Sequence, residues 1–335
     1  MSLFSRLFLK EIFKTIAPFG FRHELAKRYT LLDWYKSQKI KKLINNQDSD
    51  QLISNLISTR SLGLVGRLGG TEGRFLGEYL KLKRLRKLGI PIQISSALSR
   101  RWKRRRSEVF LQAGFYFQDW TDAERFCNEY LDALKQTDIL GAWGVAFTWV
   151  EGIGLDEKTT SVIPVGFTAP WVEPYVPGQV AWANSLEGKR VLVVSGFADS
   201  ISKQHPKISK IYTGVRYPSF ELRVVKAPLS AGNADVNGKS WFELLEETKR
   251  QIAGEEFDVA LIAAGAFSFP LAAYVKSLGK IGIHCGGGLQ LFFGIMGNRW
   301  NNSPEVLRYV NEDWVRPSKA ETPKMAEKIE NACYW

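Results

Sequence analysis

One pattern recurs along this chain and limits what it can fold into: a short β-branched run, a glycine-bearing turn, then an amphipathic helical stretch. It occurs over residues 62–82, 190–201, 258–278 and 280–293. Further strands are expected at 139–147 and 91–95, and residues 241–252 have the spacing of a covering helix. Strands that alternate with helices need crossover connections. The expected fold class is therefore α/β: a Rossmann-like, mostly parallel sheet with helices on both faces. In such a sheet ligands sit beyond the carboxyl ends of the strands, which places the candidate site in the glycine turns.

Composition allows this fold and removes several others. At 335 residues, 45% hydrophobic and 24% charged, the chain has ample material for a buried core and is neither disordered nor a disulfide scaffold. Cys127, Cys285 and Cys333 are far apart and form no Cys-x-x-Cys pair, which suggests a reduced, cytoplasmic chain. Arg6, Lys10, Glu11 and Lys14 interrupt any secretory core at the amino terminus. The one apolar run of membrane length, 257–274, contains Asp258, Gly265, Ser268 and Pro270, and reads as strand, loop and a helix opening near Pro270.

Charge is unevenly placed. The net +12 resolves into 24 basic and 8 acidic side chains over residues 1–110, a local +16, with a slightly acidic remainder. Leu3, Phe4, Leu7, Phe8, Ile12 and Phe13 alternate with Arg6, Lys10 and Lys14, so the amino terminus can form a basic amphipathic helix, either on an anionic membrane or packed on its own domain. Lys81, Lys83, Arg84, Arg86, Lys87, Arg100, Arg101, Lys103, Arg104, Arg105 and Arg106 form a second basic segment. It suits a solvated helix face, nucleic acid, or the phosphates of a membrane or lipid-diphosphate carrier. With the amphipathic amino terminus beside it in sequence, the membrane reading is preferred, and nucleic-acid binding ranks last because it would leave the glycine turns without a task. The expected layout is a helical segment over 1–50, a Rossmann-like domain over 51–300 and a C-terminal helix and tail over 301–335. A proline-rich crossing (Pro164, Pro170, Pro174, Pro177) offers a subdivision near 160–180.

Two turns carry most of the candidate chemistry. After a strand ending at Val65 come Gly66, Arg67, Leu68, Gly69, Gly70, Thr71, Glu72 and Gly73, opening a helix. Glycines let the backbone approach a ligand, and free N–H groups at a helix start favour a diphosphate. Arg67 is a candidate phosphate ligand. Glu72 is either functional or an acid complementing the helix dipole. The last turn contains His284, Gly286, Gly287, Gly288 and Gln290, followed by Arg299. His284 suits a base or ligand but is read first as a structural residue, and Gln290 and Arg299 suit a sugar or phosphate as well as the surface. The turns at Ser195 to Ser200 and Ala264 to Ser268 lie at the same relative place, with Asp199 or Ser200, and Ser268, as helix caps. No nucleophile elbow or clustered Cys/His zinc spacing occurs.

The run Arg67-Leu68-Gly69-Gly70-Thr71-Glu72-Gly73 after a strand, with the late strand, glycine turn and helix, resembles the GT-D type glycosyltransferase domain of bacterial surface-polysaccharide pathways. Residues 257–300, with Gly265, Lys280, His284, Gly286 to Gly288, Gln290, Phe293, Gly294, Arg299 and Trp300, look like proteins encoded among capsule and O-antigen genes. The resemblance spans about residues 60–300. It implies transfer of a sugar from a nucleotide-sugar donor to a lipid-linked glycan or polysaccharide acceptor; the basic first third of the chain adds the expectation of a peripheral place on the inner face of the cytoplasmic membrane. The resemblance also implies an Asp-x-Glu motif engaging Mn²⁺ or Mg²⁺ and the donor diphosphate. The motif's Glu falls on Glu72 and its Asp on Gly70, so metal use would rest on Glu72 alone, with Arg67 able to supply charge instead. Glu72 and Arg67 are then the expected catalytic residues. Gly69, Gly70, Thr71, Gly265, His284, Gly286, Gly287, Gly288, Gln290 and Arg299 are the expected donor-binding set. The competing reading is a non-catalytic assembly or regulatory protein that binds nucleotide or glycan phosphate through the same loops.

Overall fold

A computed structural model describes residues 46–87, 96–142, 160–232 and 238–335. The amphipathic amino-terminal stretch and the strand expected at 91–95 lie outside these residues.

Seven parallel strands form one sheet: β1 (Gly63–Arg67), β2 (Ile139–Ala142), β3 (Ser161–Pro164), β4 (Arg190–Ser195), β5 (Glu221–Lys226), β6 (Val259–Ala263) and β7 (Ile281–His284). Their order is β3-β2-β1-β7-β6-β4-β5. All pairs are parallel, with Val65 beside Ile139 and Ile283, and Leu261 beside Val193 and Ile283. The expected α/β architecture is therefore the observed one.

Because side chains alternate across a strand, each central strand feeds two cores. Leu64, Leu192, Val194, Ala260 and Ile262 point to one face. That face is covered by α2 (Gly70–Lys87), α4 (Trp120–Lys135), α6 (Trp241–Ala253) and α7 (Ser268–Ser277), with Phe75, Phe126, Trp241 and Phe269 at its centre. Val65, Val191, Val193, Val259, Leu261 and Ile283 point the other way, against α1 (Asn46–Thr59), Trp182, α5 (Ala198–Gln204) and the chain after β7. The basic helix α3 (Ser96–Glu108) packs on α2 through Trp102, whose ring centroid is 5.1 Å from that of Phe75.

The residues 257–274 divide, as expected, into β6, a turn and α7. Among the described residues no helix is long and apolar enough to cross a membrane. Several local expectations need correction. Strands β3 and β5 lie at the two sheet edges, where one-sided burial leaves only a weak apolar pattern; β3 even ends on Pro164, a residue an edge strand tolerates. The closing helix expected after Trp300 is a single turn, Pro304–Leu307. Asp199 and Ser200 do not cap α5: Asp199 pairs with Lys226, and Ser200 donates to Glu321. Ser268 is the first helical residue of α7, and its hydroxyl accepts from the Ala264 N–H at 2.7 Å.

Candidate functional site at the carboxyl edge of β1 and β7

Strands β1 and β7 are neighbours, yet the chain leaving β1 covers one face of the sheet and the chain leaving β7 covers the other. In α/β sheets a crevice for ligands forms beside such a divergence, at the carboxyl ends of the two strands. Arg67 ends β1 and His284 ends β7, so the two glycine turns singled out in the sequence converge there.

The contact between them is close. Gly286 adopts φ +64°, and a Cβ on it would stand 2.7 Å from the Arg67 guanidinium carbon. Only a glycine admits Arg67 at that position. The guanidinium also donates to the Cys285 carbonyl at 3.4 Å. Burial lowers the Arg67 pKa, with Arg299 adding to the effect and Tyr334 and Glu72 opposing it.

Glu72 is buried at the start of α2, folded back so that a Cβ on Gly69 would meet its Oε2 at 2.1 Å. Burial raises its pKa, while its own backbone N–H, Arg67 and Arg74 pull it down. Two guanidinium groups, those of Arg67 and Arg74, thus favour the carboxylate, while Glu330 opposes them. Thr71 donates to Gln112 at 2.7 Å and accepts from Arg74 at 3.4 Å, which holds the turn in place. Gly70 faces Arg74, with Nη1 3.6 Å from where a Cβ would be.

His284 is 5% exposed. Burial and the nearby Arg67 push its pKa down to about 3, against a hydrogen bond with the Arg67 backbone. It is thus neutral at physiological pH and ties β7 to β1, and its Nδ1 has no hydrogen-bond partner. Gln290 is similarly enclosed. Its Nε2 donates to the carbonyls of Ile295 at 3.1 Å and Tyr334 at 3.2 Å, which fixes the amide and leaves the buried Oε1 unpartnered. His284 Nδ1 and Gln290 Oε1 are thus two buried acceptors without donors.

Not every expected residue reaches this place. Gly265 lies beyond β6 at φ +54°, where a Cβ would meet the Ala113 carbonyl oxygen at 2.6 Å; its role is backbone packing. Gly288 packs on Ala169, whose Cβ is 2.7 Å from its own virtual Cβ. Arg299 does reach the crevice, where it donates to the Tyr334 hydroxyl at 3.1 Å and pairs with Glu330. Two shallow concavities, of about 490 and 300 Å³, lie elsewhere, lined by residues such as Ser202, His205 and Arg223 in one and Arg125, Phe242 and Arg250 in the other.

Sequence reasoning missed Tyr334, Glu330 and Glu321. The one local signal was Ser318 followed three residues later by Glu321, a capping-box spacing that the structure realises.

A divalent cation would have Glu72 as its carboxylate ligand here. That oxygen pair is folded against Gly69 beside two arginines, and among the described residues no group of three or more His, Cys, Asp or Glu side chains could hold a metal. This donor set does not suit Mn²⁺ or Mg²⁺. Comparison of the chain with protein-family models, with curated proteins and with solved structures finds no match.

Proposed function

We propose that the β1/β7 crevice binds a nucleotide sugar and that the chain transfers its sugar to a lipid-linked or polysaccharide acceptor, as in surface-polysaccharide synthesis. The observation that carries this reading is the convergence of Arg67, Arg299 and the Gly286 turn on one crevice. Two guanidinium groups supply paired donors for a diphosphate. The unpartnered acceptors on Gln290 and His284 suit ligand hydroxyls.

In this reading the bond from the anomeric carbon to the diphosphate oxygen breaks as the acceptor oxygen bonds to that carbon. The electron pair leaves on the diphosphate, where Arg67 and Arg299 meet the developing charge. The acceptor proton passes to the Glu72 carboxylate, whose burial raises its proton affinity. No step runs through a metal.

Exposed Lys81, Arg84, Arg86, Lys87, Arg100, Arg101, Lys103 and Arg104 on α2 and α3 favour docking on an anionic cytoplasmic leaflet, where a lipid-linked acceptor would be presented. Co-sedimentation with phosphatidylglycerol vesicles, falling with salt and lost on replacing Arg100, Lys103 and Arg104 by Gln, tests that part. Equal retention by neutral vesicles would refute it.

The main test presents a panel of nucleotide sugars to the purified protein and to Glu72→Gln. Binding by both, with sugar release only by the native protein, is the expected result. Binding without turnover by either supports the second reading, a non-catalytic binder of nucleotide or glycan phosphate, which the enclosure of Glu72 between arginines favours. No binding at all refutes both.

A further inference from the structure

The Gly286–Gly288 turn already has an occupant, and this chain supplies it. A Cβ on Gly287 would stand 2.0 Å from Tyr334 Cε1 and 2.7 Å from its Cζ, so the absent side chain is what admits the tyrosine ring. A Cβ on Gly297 would meet the Cys333 carbonyl oxygen at 2.8 Å. Arg299 holds the ring from the side, with its guanidinium carbon 4.7 Å from the ring centroid and its Nη1 donating to the hydroxyl. The backbone is tied as well: the Arg299 N–H donates to the Cys333 carbonyl at 2.9 Å and the Asn298 N–H to that of Trp335 at 3.2 Å. The crevice that a ligand would enter is therefore filled by Tyr334.

The segment that delivers Tyr334 has two unlike ends. Upstream, Glu321 is fully buried and accepts from the backbone N–H and hydroxyl of both Ser200 and Ser318, which pins the chain beside the carboxyl end of β4. Downstream, Glu330, Asn331 and Ala332 stand at φ 48°, 57° and 53°, three successive non-glycine residues in the left-handed region. Side-chain-bearing residues visit that region singly and against steric resistance. A firm anchor thus carries a strained tip.

We propose that residues 330–335 are a displaceable plug over a diphosphate subsite beside Arg67, in which ligand phosphate oxygens take the Arg299 donors that now hold Tyr334. This rests on the anion-binding part of the function proposed above. The exchange is favourable for three reasons. Burial pushes the Tyr334 phenol pKa up, so the group offers arginine a neutral hydroxyl, whereas a diphosphate offers full negative charge. Release relieves the left-handed run. Glu330, which pairs with Arg299 in the closed form, leaves with the tip and removes a carboxylate that would repel the incoming anion.

Inorganic pyrophosphate titrated into the full chain tests this, with calorimetry for affinity and amide hydrogen exchange for the tail. Pyrophosphate should accelerate exchange over 329–335 while 318–321 stays protected. Tyr334→Ala should bind pyrophosphate about tenfold more tightly, the gain expected if the open form is about a tenth of the population in the native protein. Binding that leaves exchange over 329–335 unchanged or slower, or that weakens in Tyr334→Ala, overturns the plug and leaves the anion site standing. Absence of binding by both proteins overturns the anion site and the plug together. The exchange measurement uses the native chain, so it decides the matter even if the variant folds poorly.

Discussion

Replacing Glu321 by Ala should loosen the carboxy-terminal segment without disturbing the sheet, and its size can be worked out bond by bond. The carboxylate accepts from the Ser200 N–H at 3.0 Å, the Ser318 N–H at 3.2 Å, the Ser318 hydroxyl at 2.9 Å and the Ser200 hydroxyl. The hydroxyls can rotate to other acceptors and Ser318 is half-buried, so water can reach its N–H. The Ser200 N–H is fixed in the first turn of α5, and Ser200 is 6% exposed. Leaving it unsatisfied costs about 1–3 kcal/mol. Truncating the buried side chain adds a cavity contribution of about 1 kcal/mol or more. The expected loss is about 3 kcal/mol in guanidinium chloride denaturation, with an unchanged slope. Glu321→Gln keeps the shape but turns one acceptor into a donor facing donors, so about half that loss is expected. Hydrogen exchange over 316–335 should rise in both variants. A loss under about 1 kcal/mol for Glu321→Ala would mean that the segment is held elsewhere, and the anchor argument would fall.

Asp50 accepts from the N–H groups of Trp182 and Tyr175, yet burial dominates and raises its pKa to about 6. A carboxyl that binds its proton more tightly when folded adds stability below about pH 4 and loses it as pH rises through about 6. Denaturation midpoints across pH 4–7 should show that decline, and Asp50→Asn should flatten it. Gly66→Ala would bring a Cβ to 2.5 Å from the Phe269 ring in the middle of the sheet, with about 1–3 kcal/mol of overpacking expected on unfolding; a neutral result would contradict the packing described for β1 and α7. Arg67→Lys keeps a positive charge but loses the fork that reaches both the Cys285 carbonyl and a ligand, so pyrophosphate affinity should fall about tenfold, read by calorimetry. An unchanged affinity would place the anion elsewhere.

The inner strands β1, β4, β6 and β7 were readable because each is buried on both faces and ends in a glycine turn, a signal that survives without any neighbour. The edge strands β3 and β5 carry no such signal: in β5 only Val225 is fully buried, and its exposed residues read as loop. The two halves of the candidate site were readable as separate turns at Arg67 and Gly286, since each needs its glycines locally. Their meeting was implied by the parallel sheet but set by strand order. Tyr334 left no trace, because its partners Gly287, Gln290 and Arg299 are joined to it only by folding, and a tyrosine near the end of a polar stretch looks like any surface residue. Gly265 misled for the same reason: close approach to the Ala113 carbonyl and close approach to a ligand demand the same residue.

Strand order has a consequence in time. β7 is the last strand in the sequence but lies at the centre of the sheet, between β1 and β6, and it alone joins the group β1 to β3 to the group β4 to β6. Arg67 and Gly286 are more than two hundred residues apart, so their crevice is a contact of very high sequence separation, of the kind that forms late in folding. During synthesis both strand groups can assemble from chain already made, each with an exposed apolar edge awaiting β7. The binding crevice therefore comes into being in the same event that closes the sheet. A protein caught before that event would have most of its secondary structure and no site.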